Sequence, residues 1–340
     1  MIIKNLAQVG LPGNTPIPAP ASATGFNCVN TNVTGNATAA ATCKLVRAAH
    51  FNYPAYTLGL DYKVSEALFI YAKTSRASKA GGFNVRQGSE NAPAFAPEKA
   101  EDVELGVKYS DPSGLLRVNL AGFHTWTEGV QRSILTVDPV TNNSTSYIVP
   151  AGNTRIYGGE LEVFLNPVEG LRLNGNVAYL NAKYQKGTFQ EQRPNGAGGF
   201  ITVDRSGEVV SQVPEWQFAV GATYTVELGT AKLALHADYA WIGDTYTNPF
   251  TVTPGAPPAA VAFGALANEL SKTPAYGLVN GRVGLTLDNG LEVFVFGRNL
   301  TNEKYITNTF ASLAGSLGVA TNFPGDPRTY GVGVRFSFGQ

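Results

Sequence analysis

From Tyr56 onward the chain alternates apolar residues with small or polar ones at a period of two. In Tyr330–Phe338 the even positions hold Tyr330, Val332, Val334, Phe336 and Phe338, and the odd ones hold Gly331, Gly333, Arg335 and Ser337. Val103, Leu105, Val107 and Tyr109 alternate with Asp102, Glu104, Gly106 and Lys108, and Leu233, Leu235, Tyr239 and Trp241 share one side of Lys232–Trp241. Helical spacing would scatter these sets around a cylinder, whereas a pleated strand puts each on one face. The pattern predicts eleven strands: 56–63, 67–76, 98–109, 115–130, 153–165, 171–184, 215–226, 231–243, 276–287, 291–304 and 328–338. Most exceed the roughly 5 or 6 residues of an ordinary strand and suit the about 9–11 that cross a bilayer when tilted.

The connections fall into two classes. Val64–Glu66, Asp111–Gly114, Asn166–Gly170, Glu227–Thr230 and Asp288–Gly290 are tight turns with residues suited to them. The others, 77–97, 131–152, 185–214, 244–275 and 305–327, are long and rich in Gly, Pro, Asn and Thr. Strict alternation of short and long connections predicts an all-β fold, a transmembrane antiparallel β-barrel portion with short periplasmic turns and long extracellular loops. The polar set, including Arg172, Asn174, Asp102, Lys108, His236, Asp238 and Arg282, then points into a wet lumen. In a soluble sandwich the same alternation would be a solvent face, but nothing would gather every long loop at one end. Tyr109, Tyr179, Tyr224, Tyr239 and Trp241 lie towards strand ends, as interfacial girdles do.

Composition agrees. The 340 residues include 15% charged ones at zero formal net charge, against about a quarter in soluble domains. No basic surplus exists to neutralise phosphates, so no nucleic-acid partner is expected. No apolar run approaches the roughly 18 residues of a membrane helix. Cys28 and Cys43 lie in an Asn/Thr/Ala/Gly-rich segment that offers no core to pack against. They are read as a disulfide closing a loop, which implies an oxidising compartment, or else as two unpaired thiols. Met1-Ile2-Ile3-Lys4 leads into polar residues, so no secretory signal is visible at this start.

Several segments in order give the chain a family resemblance. Tyr71-Ala72-Lys73-Thr74-Ser75 precedes Lys79-Ala80-Gly81-Gly82-Phe83-Asn84, and Pro97-Glu98 precedes Glu104-Leu105-Gly106-Val107-Lys108. Gly158-Gly159-Glu160-Leu161-Glu162 is followed by Leu171-Arg172-Leu173-Asn174. Gly297-Arg298-Asn299-Leu300-Thr301-Asn302-Glu303-Lys304-Tyr305 precedes Pro327-Arg328-Thr329-Tyr330-Gly331. Over 56–340 the chain resembles the C-terminal half of the barrel of a TonB-dependent outer-membrane receptor. That resemblance implies a barrel of about 22 strands, an N-terminal plug, and energised uptake of a scarce nutrient, a ferric siderophore first. The implied partners are the TonB complex, the lipid bilayer, the barrel-assembly machinery and the ligand; the implied location is the Gram-negative outer membrane.

The sequence departs from the family in having no plug, no TonB-contacting segment and half the strands. An open sheet with two free edges is not viable in lipid, so the chain is expected to be a portion of a larger barrel. Residues 1–55 are expected to be part of an extracellular loop carrying the disulfide, and 56–340 the C-terminal barrel portion. Tyr330, Phe336 and Phe338 carry the barrel-assembly signal that the resemblance implies. Rival readings are a passive outer-membrane channel, a structural surface barrel or a non-functional truncated product.

Candidate ligand contacts are Arg132, Tyr157, Arg193, Arg205, His236 and Tyr246: cations for an anionic ferric complex, aromatics for stacking, and one imidazole on the wet face. No histidine stands at metal-ligand spacing, and no Gly-x-Ser-x-Gly, phosphate-cradling loop or His-Glu-x-x-His occurs. Neither catalysis nor a resident cofactor is expected.

Overall fold

A computed structural model describes residues 2–4, 44–46, 48–84, 94–137, 144–150, 152–185, 190–194, 200–204, 206–247, 258–310 and 320–337. Cys28, Cys43, Arg205 and Phe338 lie outside them. The chain divides into two units, 1–55 with 77–99 and 128–152, and 56–76 with 100–127 and 153–340.

The second unit is built on one eleven-stranded sheet. Its strands are β1 (Tyr56–Lys63), β2 (Leu68–Lys79), β3 (Glu98–Ser110), β4 (Leu116–Glu128), β5 (Thr154–Val168) and β6 (Leu171–Tyr184). They continue as β7 (Trp216–Glu227), β8 (Ala231–Ile242), β9 (Tyr276–Leu287), β10 (Leu291–Arg298) and β11 (Thr329–Phe336). Each lies beside its neighbours in chain order, so the sheet is an up-and-down meander with β1 and β11 at its edges. The register is regular over long stretches: Ala231↔Leu287 through Ile242↔Tyr276 pair without a break. One bulge falls between Leu165 and Val168, spanning Pro167, which has no N–H to give the ladder.

Register confirms the two-faced reading. Leu161 opposes Leu120 and Val177, while Glu162 opposes Asn119 and Asn176. Each face therefore keeps one character across several strands. Among the described residues the only buried apolar side chains are Ala178, Ala182 and Tyr184, and Leu60, Leu105 and Val332 are 73%, 66% and 71% exposed. A sandwich with a dry centre does not fit this sheet.

The short turns sit close to where expected, except that β5 runs on to Val168, so the turn expected over 166–170 is confined to 169–170. At the β9–β10 turn Gly290 takes φ +83°, and a Cβ there would lie 2.6 Å from the Ser337 carbonyl oxygen. Asn289 Oδ1 accepts the Leu291 N–H at 3.0 Å, closing the turn.

Two expectations need correction. The strand expected over 291–304 ends at Arg298. Asn299 and Asn302 take φ of 50° and 57°, which leaves the strand region. The Asn299 side chain holds that exit, donating to the Glu303 and Asp326 carbonyls and accepting the Glu303 N–H. The long connection 244–275 contains a helix, α1 (Pro258–Ser271). Proline is favoured at a first helical position and the following alanines favour helix, but the surrounding Pro and Gly concealed it. No described helix is long and apolar enough to cross a membrane.

In the first unit a hairpin pairs 131–137 with 144–150. Asn84 ties to it in both directions, donating to the Ile148 carbonyl at 2.8 Å and accepting the Ile148 N–H at 2.6 Å.

Candidate functional site

The polar face of the sheet carries a band of linked charged and aromatic side chains. Towards its N-terminal side, Glu104 accepts from Tyr71 Oη at 2.8 Å and pairs with Lys73 Nζ at 2.8 Å. The Tyr71 ring lies over Gly106, where a Cβ would come within 2.2 Å of it. Asn119 Nδ2 donates to Glu162 at 2.6 Å, and the Arg117 guanidinium sits 4.1 Å from the Phe164 ring centroid.

Towards the C-terminal side the register sets Thr223, His236 and Arg282 in one row, and Asp238 beside Asn280 in the next. His236 Nδ1 lies 2.8 Å from the Thr223 hydroxyl, its Nε2 lies 3.4 Å from Asp238, and Asn280 donates to Asp238 at 2.8 Å. Glu292 lies between two cations, with Arg282 at 2.5 Å and Arg335 at 3.5 Å. The Arg282 and Arg298 guanidiniums also face the Phe294 and Phe296 rings, at 4.2 and 5.6 Å. Gly331 and Gly333 stand opposite those rings, which cover them in place of side chains. Sequence reasoning did not single out Phe164, Phe294 and Phe296; Phe294 and Phe296 alternate with Val293 and Val295, which was the available signal.

Thr223, His236 and Asp238 are linked across two rows in the order hydroxyl, imidazole, carboxylate. Among the described residues no three of His, Cys, Asp and Glu converge as a metal site.

At the long-loop end of the second unit a polar cluster clasps the connections together. Asp244 pairs with Lys272 at 2.7 Å and accepts the Ala275 N–H at 2.6 Å. Burial alone would raise the Asp244 pKa, but the Lys272 and Ala275 donors together outweigh it and hold it below the ordinary carboxylate value. The hydrogen bond to Asp244 raises Lys272 above its usual value. Thr309, 1% exposed, accepts through its carbonyl from Thr247 Oγ1, and its hydroxyl meets Thr273 at 3.3 Å. Gln212 joins by donating to Asn308 Oδ1 at 3.3 Å and to the Tyr246 carbonyl through its N–H at 2.8 Å.

Of the six candidate ligand contacts, Arg205 lies outside the described residues. His236 lies on the polar face, and Tyr246 lies in the clasped hairpin opposite Lys272. Tyr157, expected among the loop aromatics, stands within β5 on the apolar face, opposite His124. Arg132 belongs to the first unit, half-buried and opposite Val149. Arg193 lies in the hairpin 190–194/200–204, where only its backbone is described. Tyr330 and Phe336 sit on the apolar face of β11, opposite Gly297 and Leu291. Sequence reasoning did not single out Arg282, Glu292 and Arg335 as a cluster, because only the pairing of β9, β10 and β11 joins them.

Comparison with known proteins adds three findings. A family described as TonB dependent receptor-like, beta-barrel matches residues 25–300. The metal-pseudopaline receptor CntO of Pseudomonas aeruginosa (strain UCBPP-PA14) is 31% identical over 129 residues, which are 38% of this chain and 17% of that protein. Among solved structures, the ferric yersiniabactin uptake receptor FyuA from Yersinia pestis aligns with a TM-score of 0.61 at 18% identity, covering 83% of this chain and 37% of that one. The siderophore receptor PiuA from Acinetobacter baumannii gives 0.60 at 18% identity, covering 83% and 35%, and the copper transporter OprC gives 0.58 at 14% identity, covering 84% and 39%. The chain thus spans well under half the length of these relatives.

Proposed function

The chain belongs to the TonB-dependent receptor β-barrel family, outer-membrane transport proteins of Gram-negative bacteria, and from that premise we propose that it serves as the C-terminal barrel portion of a receptor for active uptake of a ferric siderophore. The observation that carries this reading is the cation- and aromatic-bearing wall of β9, β10 and β11. Arg282, Arg298 and Arg335 outnumber Glu292 there, and Phe294 and Phe296 lie beneath two of the guanidiniums. Such a surface suits an anionic chelate with planar ligating groups. The names of CntO, FyuA and PiuA support a metal chelate, and OprC keeps copper as the competing cargo.

Strand direction supports the barrel-portion reading. In a meander of eleven strands, β1 and β11 run the same way, so they cannot join in an antiparallel ladder. An even-numbered antiparallel barrel needs an odd number of further strands between them. We assign those strands, the plug and the TonB contact to sequence outside this chain, residues 1–55 to part of an extracellular loop, and insertion to the barrel-assembly machinery.

Uptake of radioiron as a ferric siderophore tests the proposal in a strain deleted for its own receptors. Expressed with the remaining strands and plug, the chain supports TonB-dependent uptake; alone it supports none. Uptake of copper but not ferric siderophore by the complete receptor would contradict the cargo, and uptake by the chain alone would contradict the assembly.

A further inference from the structure

We propose that the apolar face of the sheet carries, at its long-loop end, a site for the phosphate of an anionic membrane lipid, made by Arg155 and Lys183 and walled by Trp126 and Tyr157. The site rests on the family reading that this face meets lipid.

Arg155 and Lys183 are direct partners in the β5–β6 ladder, so their side chains leave the same face side by side. Like charges in that position repel. Among the described residues neither has a carboxylate within ion-pair distance, and the Glu101 carboxylate of β3 is taken by Arg76 at 3.2 Å. An anion shared by the two cations relieves the repulsion.

Arg155 is also aimed. Its Nε donates to His124 Nε2 at 2.8 Å, so this bond does not use the two terminal nitrogens of the guanidinium. The His124 ring is itself held between Trp126, at 4.0 Å between centroids, and Tyr157, at 6.0 Å and edge-on. Trp126 and Tyr157 are 41% and 43% exposed, the amphipathic aromatics that favour a membrane interface.

The surface below the cations decides between a free phosphate and a lipid. Two rows further into the sheet, Gly122 and Gly159 oppose each other and leave a notch bounded by Tyr179 opposite Gly159. In the next row Leu120, Leu161 and Val177 form an apolar strip in register. A phosphate at the cations would place a glycerol or sugar linkage over the notch and acyl chains along the strip. A free anion would use neither.

The test uses the complete receptor in detergent, titrated with phosphatidylglycerol and followed by native mass spectrometry. R155Q and K183Q are each expected to weaken binding about five-fold, while R155K retains most of it and K63Q/K232Q, which removes two cations at the short-turn end, changes nothing. Equal binding by R155Q/K183Q and the unmodified receptor overturns the site, as does an equal loss in K63Q/K232Q. Displacement of the lipid by equimolar inorganic phosphate overturns the choice of a lipid. Quenching by brominated acyl chains, read as the difference between the receptor and its W126F variant, checks the premise separately: no quenching of the Trp126 signal means that this face does not meet hydrocarbon, whatever the titration shows.

Discussion

Glu292 shows how single residues organise the polar wall. Its side chain is 14% exposed and lies between two guanidiniums, so E292Q leaves Arg282 and Arg335 facing each other without a counter-charge. Because Arg335 is 67% exposed, solvent screens much of that loss, and the expected destabilisation is about 1 kcal/mol in urea-driven unfolding from bilayers. The same variant should bind a ferric siderophore no more weakly, since it makes the wall more positive; a loss of affinity would place Glu292 in direct ligand contact instead. Gly290 offers a backbone test. With φ at +83° and the Ser337 carbonyl oxygen 2.6 Å from any Cβ, G290A should cost about 1–3 kcal/mol, and an unfolding midpoint equal to the parent's would refute that turn geometry.

At the scale of elements, the Asp244–Lys272 clasp makes a pH prediction. Asp244 titrates lower folded than unfolded, so its contribution is complete above the ordinary carboxylate pKa and fades as pH falls through the folded value. Lys272 titrates higher folded, so its contribution is complete below the ordinary lysine pKa and fades as pH rises through the folded value. Amide exchange at Ala275, whose N–H meets Asp244, should therefore lose protection in acid after correction for intrinsic rates, and D244A, which removes the acceptor, should be unprotected across the range. Protection that ignores pH would show that the clasp does not hold this loop. The strands were legible in the sequence because a period of two is a local property; the full 171–184 span follows from it, whereas the bulged end of β5, expected at 165, runs on to Val168. What escaped was set elsewhere. The end of β10 depends on Asn299 reaching the Asp326 carbonyl, and α1 lies in a connection whose Pro and Gly content pointed to irregular chain. The grouping of Arg282, Glu292 and Arg335 needed three strands in register, which no single segment encodes.

For the whole molecule, the eleven strands bury almost no apolar side chains against one another, so the sheet owes its order to backbone ladders and to what its two faces meet. The edge strands state the need most plainly: Leu58, Leu60 and Tyr62 on β1, and Tyr330, Val332 and Val334 on β11, are all more than 60% exposed. Hydrocarbon outside and water inside account for both faces, and further strands account for both edges. The most direct test is spin-label accessibility in bilayers at successive positions of β8, after replacing the cysteines of the complete receptor, Cys28 and Cys43 among them, by serine. Labels at Leu233, Leu235 and Tyr239 should favour collisions with dissolved oxygen, and labels at Ala234, His236 and Asp238 should favour a water-soluble nickel chelate, in strict alternation. A flat profile, or alternation of the opposite phase, would contradict the account.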